Sequence, residues 1–286
     1  MKKFWSALLL MMLVLSMIFG VANAEEVSQI TKKSDENGVH VEIPYTMTVD
    51  KTGKSVTKQG SIAENRVSPS ADYAIQYNAI FDTTGGNLVY GYRIVGMYGA
   101  KPTRATITIA PHISTTRNGS YAQYGSRTFN VTSFNLNKVE TTTENLYGTH
   151  YWRIKIDART YWSDAIGYEQ NLFPDYTLLI NTKGVEYPTY TDPQSGIRLW
   201  EPPTNLSVNQ RSADWNYRQN FKDYYDYSFG TPKYFTWDDT HIHHMQPLKY
   251  GGLDVVYNLI PVWKTGAIPQ NGIISHTVLN NWWTHY

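Results

Sequence analysis

The chain has 286 residues and carries 25 Lys and Arg against 24 Asp and Glu. That balance counts against a protein held tightly to long duplex nucleic acid by phosphate neutralisation, and leaves open an enzyme that touches a few phosphates and releases them. It has no cysteine, which excludes disulfides and thiolate metal sites, so any bound metal must rest on His, Asn, Asp or Glu.

Lys2 and Lys3 precede an apolar run from Phe4 to Val21 that closes on Ala22-Asn23-Ala24. Charge, apolar core and small residues in that order predict an export signal over residues 1–24, cleaved near Glu25; a retained anchor is the alternative. No later stretch is apolar enough to span, so the mature chain is expected to have no stable membrane insertion. Loss of Lys2 and Lys3 moves the net charge to about −1. Export without cysteine points to a bacterial, extracellular protein.

Residues 25–70 are polar, and apart from a strand at His40-Val41-Glu42-Ile43 they read as a loosely ordered lead-in. The pattern changes over 71–190. Leu88 to Val95, Ala105 to Ile109, Thr128 to Val131, Tyr151 to Ile156 and Tyr176 to Ile180 are rich in β-branched and aromatic residues, with Gly, Asn, Asp and Pro clusters between them. Short strands punctuated by turns predict an all-β, sandwich-like domain. Pro188, Pro193, Pro202 and Pro203 mark a boundary, and a C-terminal unit is expected over 205–286. Within it Asp214 to Tyr227 has helical spacing. The class predicted overall is α+β.

Five of the eight histidines lie after residue 240. Thr240 to His244 suits a short strand, Pro247 and Gly251-Gly252 a reversing loop, and Asn258 to Val262 a second strand. Ser275 is placed to cap a helix on which His276 and Asn280 share a face and Leu279, Trp282 and Trp283 pack inward. Neighbouring strand residues face opposite ways, so His243 and His244 are expected to take different tasks. His241 shares a face with His243 and is expected beside the ligands or at the surface. Asp238 and Asp239 read as a solvated turn, and His40, His112 and His150 receive no role.

From about Trp237 to Tyr286 the His-His pair, the Pro and Gly-Gly loop, Asn258-Leu259 and the later His276 resemble the HNH/endonuclease VII superfamily, the ββα-metal nucleases, and within it secreted bacterial nuclease-toxin domains. The resemblance implies a small C-terminal ββα-metal motif and a secreted endonuclease that hydrolyses DNA or RNA. It implies His243 as first metal ligand, His244 as general base, Asn258 as the residue that orients the base through a side-chain or backbone contact, and His276 as a ligand on the helix. The third ligand is Asn280 by helical spacing, with His285 and His241 as alternatives, because no His stands four residues after His276. The gap from Asn258 to His276 is also longer than the family's common pattern. One divalent ion (Mg, Zn, Mn or Ni) is implied as cofactor, nucleic acid as substrate, and, for a toxin, a cognate immunity protein as partner. The alternative reading is a secreted β-sandwich adhesin or carbohydrate binder whose tail holds a structural metal or is an inactive nuclease-like scaffold.

Overall fold

The computed structural model describes residues 30–50, 52, 72–172, 174, 176–264 and 272–286. The expected export signal lies outside them. Among the described residues no helix is long and apolar enough to cross a membrane. Among the described residues the fold is β-rich, with two short α-helices toward the C-terminal end.

Two antiparallel sheets make up the first part. One runs in the order β1 (Thr31–Asp35), β2 (Gly38–Val49), β3 (Tyr73–Asp82), β4 (Asn87–Tyr98) and β8 (Val139–Asn145). The other joins β10 (Ile166–Leu172), β9 (His150–Tyr161), β5 (Arg104–Ser114) and β6 (Ala122–Gln123), with β7 (Arg127–Val131) also on β5 and β11 (Leu178–Ile180) on β9. Side chains alternate across a pleated strand, so one face of each sheet can be apolar. Leu88, Tyr90, Tyr92 and Ile94 on β4 and Trp152, Ile154, Ile156 and Ala158 on β9 contribute to the shared core.

The strand expected at residues 40–43 lies within β2, while the loosely ordered lead-in expected around it is corrected at 31–35 and 38–49. Those residues form β1 and β2, and Val39, Val41, Ile43, Tyr45, Met47 and Val49 are buried in the sandwich core. The sequence alternates from Val39 to Val49, with His40, Glu42, Pro44, Thr46 and Thr48 on the second face, so the strand signal extends well beyond residues 40–43. Glu42 is 8% exposed, held by Arg93 at 2.8 Å and by the Asn78 amide at 2.7 Å.

A second core gathers around the C-terminal elements: α1 (Tyr217–Phe229), β12 (Thr240–His244), β13 (Leu259–Trp263) and α2 (His276–Thr284). Strands β12 and β13 pair antiparallel, with His243 opposite Ile260 and His244 opposite Leu259. Ser275 caps α2 by accepting a hydrogen bond from the Thr277 N–H at 3.1 Å. Leu279, Trp282 and Trp283 are buried, which places the tryptophan pair in the core. The proline-rich stretch belongs to this core, since Tyr187, Tyr190 and Leu199 pack into it.

The two cores are fastened together. The Asn181 amide donates to Trp282 O at 3.1 Å, the Trp282 indole to Val185 O at 3.0 Å, and the Tyr151 hydroxyl to Pro202 O at 2.9 Å. The sandwich is thus a platform against which α2 is clamped, and α2 in turn presents His276 to β12.

Candidate functional site

Strand β12 divides its histidines by face. Ile242 points into the second core, while His241 is exposed and His243 is partly buried. His276 stands at the first position of α2, and its ring centroid lies 4.9 Å from that of His241 and 5.1 Å from that of His243. Three imidazoles therefore meet where the strand crosses the start of the helix.

All three favour the neutral form. Burial pushes the His243 pKa down to about 4, and the nearby imidazoles of His276, His244 and His241 press the same way; the hydrogen bond to His244 O acts against them. Burial also lowers His276. His241 is lowered by burial first, then by the charges of His276, Lys264 and Arg218. His243 Nδ1 lies 2.7 Å from His244 O. A carbonyl only accepts, so Nδ1 carries the proton and Nε2 keeps its lone pair, the state required of a metal-binding imidazole.

His244 occupies the other face, only 8% exposed, with its ring centroid 4.7 Å from that of Tyr217. Its Nε2 lies 2.7 Å from Asp254 Oδ1. Burial would raise the Asp254 carboxyl, but the Asp214 N–H at 2.9 Å, the His244 imidazole and Arg211 together bring it below the ordinary range. An ionised carboxylate cannot donate. The neutral imidazole must therefore hold its proton on Nε2 and its lone pair on Nδ1.

Asn258 is buried, and its side chain makes no hydrogen bond to His244; of the side-chain and backbone contacts expected of it, the backbone one is present, on the residue that follows His244. Its Oδ1 accepts from Gln246 N at 2.9 Å, and its Nδ2 donates to Gln246 O at 3.1 Å and to Leu253 O at 2.9 Å. Its own carbonyl accepts from Met245 N at 2.7 Å. Asn258 thus fixes the backbone that follows His244 and braces the reversing loop, while Asp254 is the residue on the ring. The loop turns tightly: Gly251 has φ +78°, and a Cβ on Gly252 would meet Gln246 O at 1.8 Å. Both positions require glycine for those reasons.

These elements enclose a cleft of about 550 Å³. His241, His243, His244 and His276 line it, with Arg218 from α1 and Lys249 from the loop, and no carboxylate lines it among the described residues. Asn280 lines it as well, one turn along α2 from His276, whereas His285 lines a separate groove behind the helix. Among the described residues, Arg211, Arg218 and Lys249 are in no ion pair within 4.0 Å.

The donors suit a divalent ion by type, being neutral imidazoles with one lone pair already directed by a backbone contact. Among the described residues, however, no three His, Cys, Asp or Glu side chains stand close enough to hold an ion as they are. His241 is the third imidazole of the cluster, ahead of Asn280 in donor strength, and His285 is away from it. Sequence reasoning missed Asp254, Arg218 and Lys249. A signal for Asp254 was present, since it is the one carboxylate between His244 and Asn258.

No family model, no curated protein and no solved structure matches this chain.

Proposed function

We propose that the chain is an exported, metal-dependent endonuclease that hydrolyses phosphodiester bonds in nucleic acid at the cleft between β12 and the start of α2. The observation that carries this reading is the character of the cleft wall: four imidazoles, Arg218 and Lys249, with no carboxylate lining it among the described residues. Such a wall favours an anion and offers both a base and metal donors within one small volume. The sequence resemblance over the last fifty residues or so supports the same chemistry.

In this mechanism Arg218 and Lys249 hold the non-bridging phosphate oxygens. His244 accepts a proton from the attacking water at Nδ1. Asp254 remains ionised, keeps the Nε2–H tautomer, and stabilises the imidazolium as it forms. The water oxygen bonds to phosphorus as the P–O ester bond breaks; the leaving oxygen takes its proton from solvent, giving a phosphomonoester and a free hydroxyl, and the His244 imidazolium returns its proton to solvent. His241, His243 and His276 would hold the divalent ion, which supplies Lewis-acid stabilisation of the phosphate and leaving oxygen when bound. Asn258 keeps the loop closed behind the base.

The test is digestion of plasmid DNA and of RNA by the mature protein, with and without a chelator, beside His244→Ala. Expected are cleavage that stops on chelation and a fall of about 10²–10⁴-fold in His244→Ala, the usual size of a general-base contribution. Absence of cleavage of either polymer across the divalent ions named above would refute the proposal, and so would cleavage that is indifferent to both chelator and substitution.

A further inference from the structure

Beside the cleft lies a surface that the hydrolytic machinery does not use. Trp215, immediately before α1, is 88% exposed; Tyr257 is 69% exposed and Leu253 40%. Single exposed apolar side chains are ordinary. These three are not scattered. The Asp214 N–H bonds Asp254 Oδ2 at 2.9 Å, which ties the residue before Trp215 to the residue after Leu253. Helix α1 also packs against the short 3-10 turn Val256–Asn258 that carries Tyr257. Main-chain bonds from Asn209 to Lys249 O and from Arg211 to Leu248 O lay the approach to Trp215 along the rim that bears Lys249. Trp215 stands three residues before Arg218, so the segment that carries the indole leads into the residue of α1 that lines the cleft.

Charge accompanies the rings. Arg211, Arg218 and Lys249 are exposed. The nearest acids are already engaged: Asp254 by His244 and the Asp214 N–H, and Asp214 by the Asn216 N–H at 3.0 Å. An exposed indole and phenol next to Arg218 and Lys249, which are in no ion pair within 4.0 Å among the described residues, match a ligand with flat apolar faces on a phosphate backbone. Duplex nucleic acid does not offer such faces, because its bases are already stacked on each other. Duplex binding would rest on broad phosphate neutralisation, for which a chain near neutrality is poorly supplied. Unpaired bases gain the stacking energy, and they do so with little dependence on sequence.

We propose that Trp215 and Tyr257 form a stacking shelf for unpaired bases, which selects single-stranded nucleic acid and feeds its backbone past Arg218 into the cleft. The proposal deepens the nuclease reading by naming its substrate class, and it rests on that reading for what happens in the cleft. Binding on the shelf needs no turnover, so the two can be tested apart.

The experiment uses the mature protein in chelator, with a fluorescein-labelled 12-residue oligo(dT) and a labelled hairpin duplex of the same length as probes, read by anisotropy. The expected result is tighter binding of oligo(dT) than of the hairpin. Trp215→Ala should lose at least about fivefold in oligo(dT) affinity, the lower end for one base stacked on an aromatic ring, with hairpin binding unchanged. Trp215→Phe should keep part of the difference, and Tyr257→Ala should show a smaller loss than Trp215→Ala. Trp215 is almost wholly exposed, so circular dichroism should find the variants folded. Equal affinity for the two probes, or an unchanged oligo(dT) affinity in Trp215→Ala, overturns the shelf. Trp215-dependent oligo(dT) binding without metal-dependent cleavage would uphold the shelf and refute the nuclease reading. A protein partner at this surface would appear as no binding of either probe, which also overturns it.

Discussion

Asn258→Ala separates a loop brace from a catalytic group. The carboxamide is buried and makes three hydrogen bonds to main chain, at 2.9, 3.1 and 2.9 Å, reaching across the reversing loop from Gln246 to Leu253. A net value of about 1 kcal/mol for each would give about 3 kcal/mol. Leu253 is exposed, so its carbonyl can turn to water after truncation, and the expected loss settles at about 2–3 kcal/mol. Asn258→Asp should be no better. It keeps an acceptor for the Gln246 N–H but sets carboxylate oxygens against the two carbonyls that the amide served. Urea unfolding followed by tryptophan fluorescence measures the loss, because Trp282 and Trp283 sit in the C-terminal core. Activity should fall as well, though less than in His244→Ala, since the base is displaced but present. If Asn258→Ala unfolds within about 0.5 kcal/mol of the wild type, the size expected for an inconsequential surface change, the bracing argument fails. If it keeps its stability and loses all activity, Asn258 acts in the chemistry.

Two further outcomes follow from the histidines. The His243 pKa in the folded chain, about 4, lies below the ordinary imidazole value, so between the two the unfolded chain binds more protons. Stability from this group is therefore complete above about pH 6.5 and is lost as pH falls toward 4, with an upper bound of about 3 kcal/mol. His243→Gln should flatten that part of the urea-stability profile, and an unchanged slope would contradict the burial argument. Asp254→Asn retains the shape of the group on His244 but removes its charge, so cleavage should drop to between wild type and His244→Ala while calorimetric metal affinity stays the same. Wild-type turnover, or loss of metal together with activity, would show that Asp254 does not serve the base.

Much of the local structure of this protein is written in short-range pattern. Alternation in β4, β5 and β9 was legible because one face of each is apolar over many residues. Strand β12, the Ser275 cap and the inward Leu279, Trp282 and Trp283 were legible because caps and helical spacing act within a few residues. The histidine pair, the glycine turn and His276 likewise announced one site. β2 carries the same alternation from Val39 to Val49, although the strand expected there covers only residues 40–43; that Glu42, Thr46 and Thr48 on its second face are buried too was not legible, because only strands distant in sequence supply the partners that make burial of Glu42 tolerable. The same holds for the site. Which face of β12 meets α2, and hence that His241 joins His243 and His276, depends on how the helix docks on the sandwich through Asn181, Val185 and Trp282. That Asp254 and not Asn258 holds the His244 ring depends on how the loop closes. Spacing along a chain determines which residues can share a strand or a helix face; which faces then meet is decided by packing between elements far apart in sequence, where a few hydrogen bonds and one buried tryptophan outweigh any local preference.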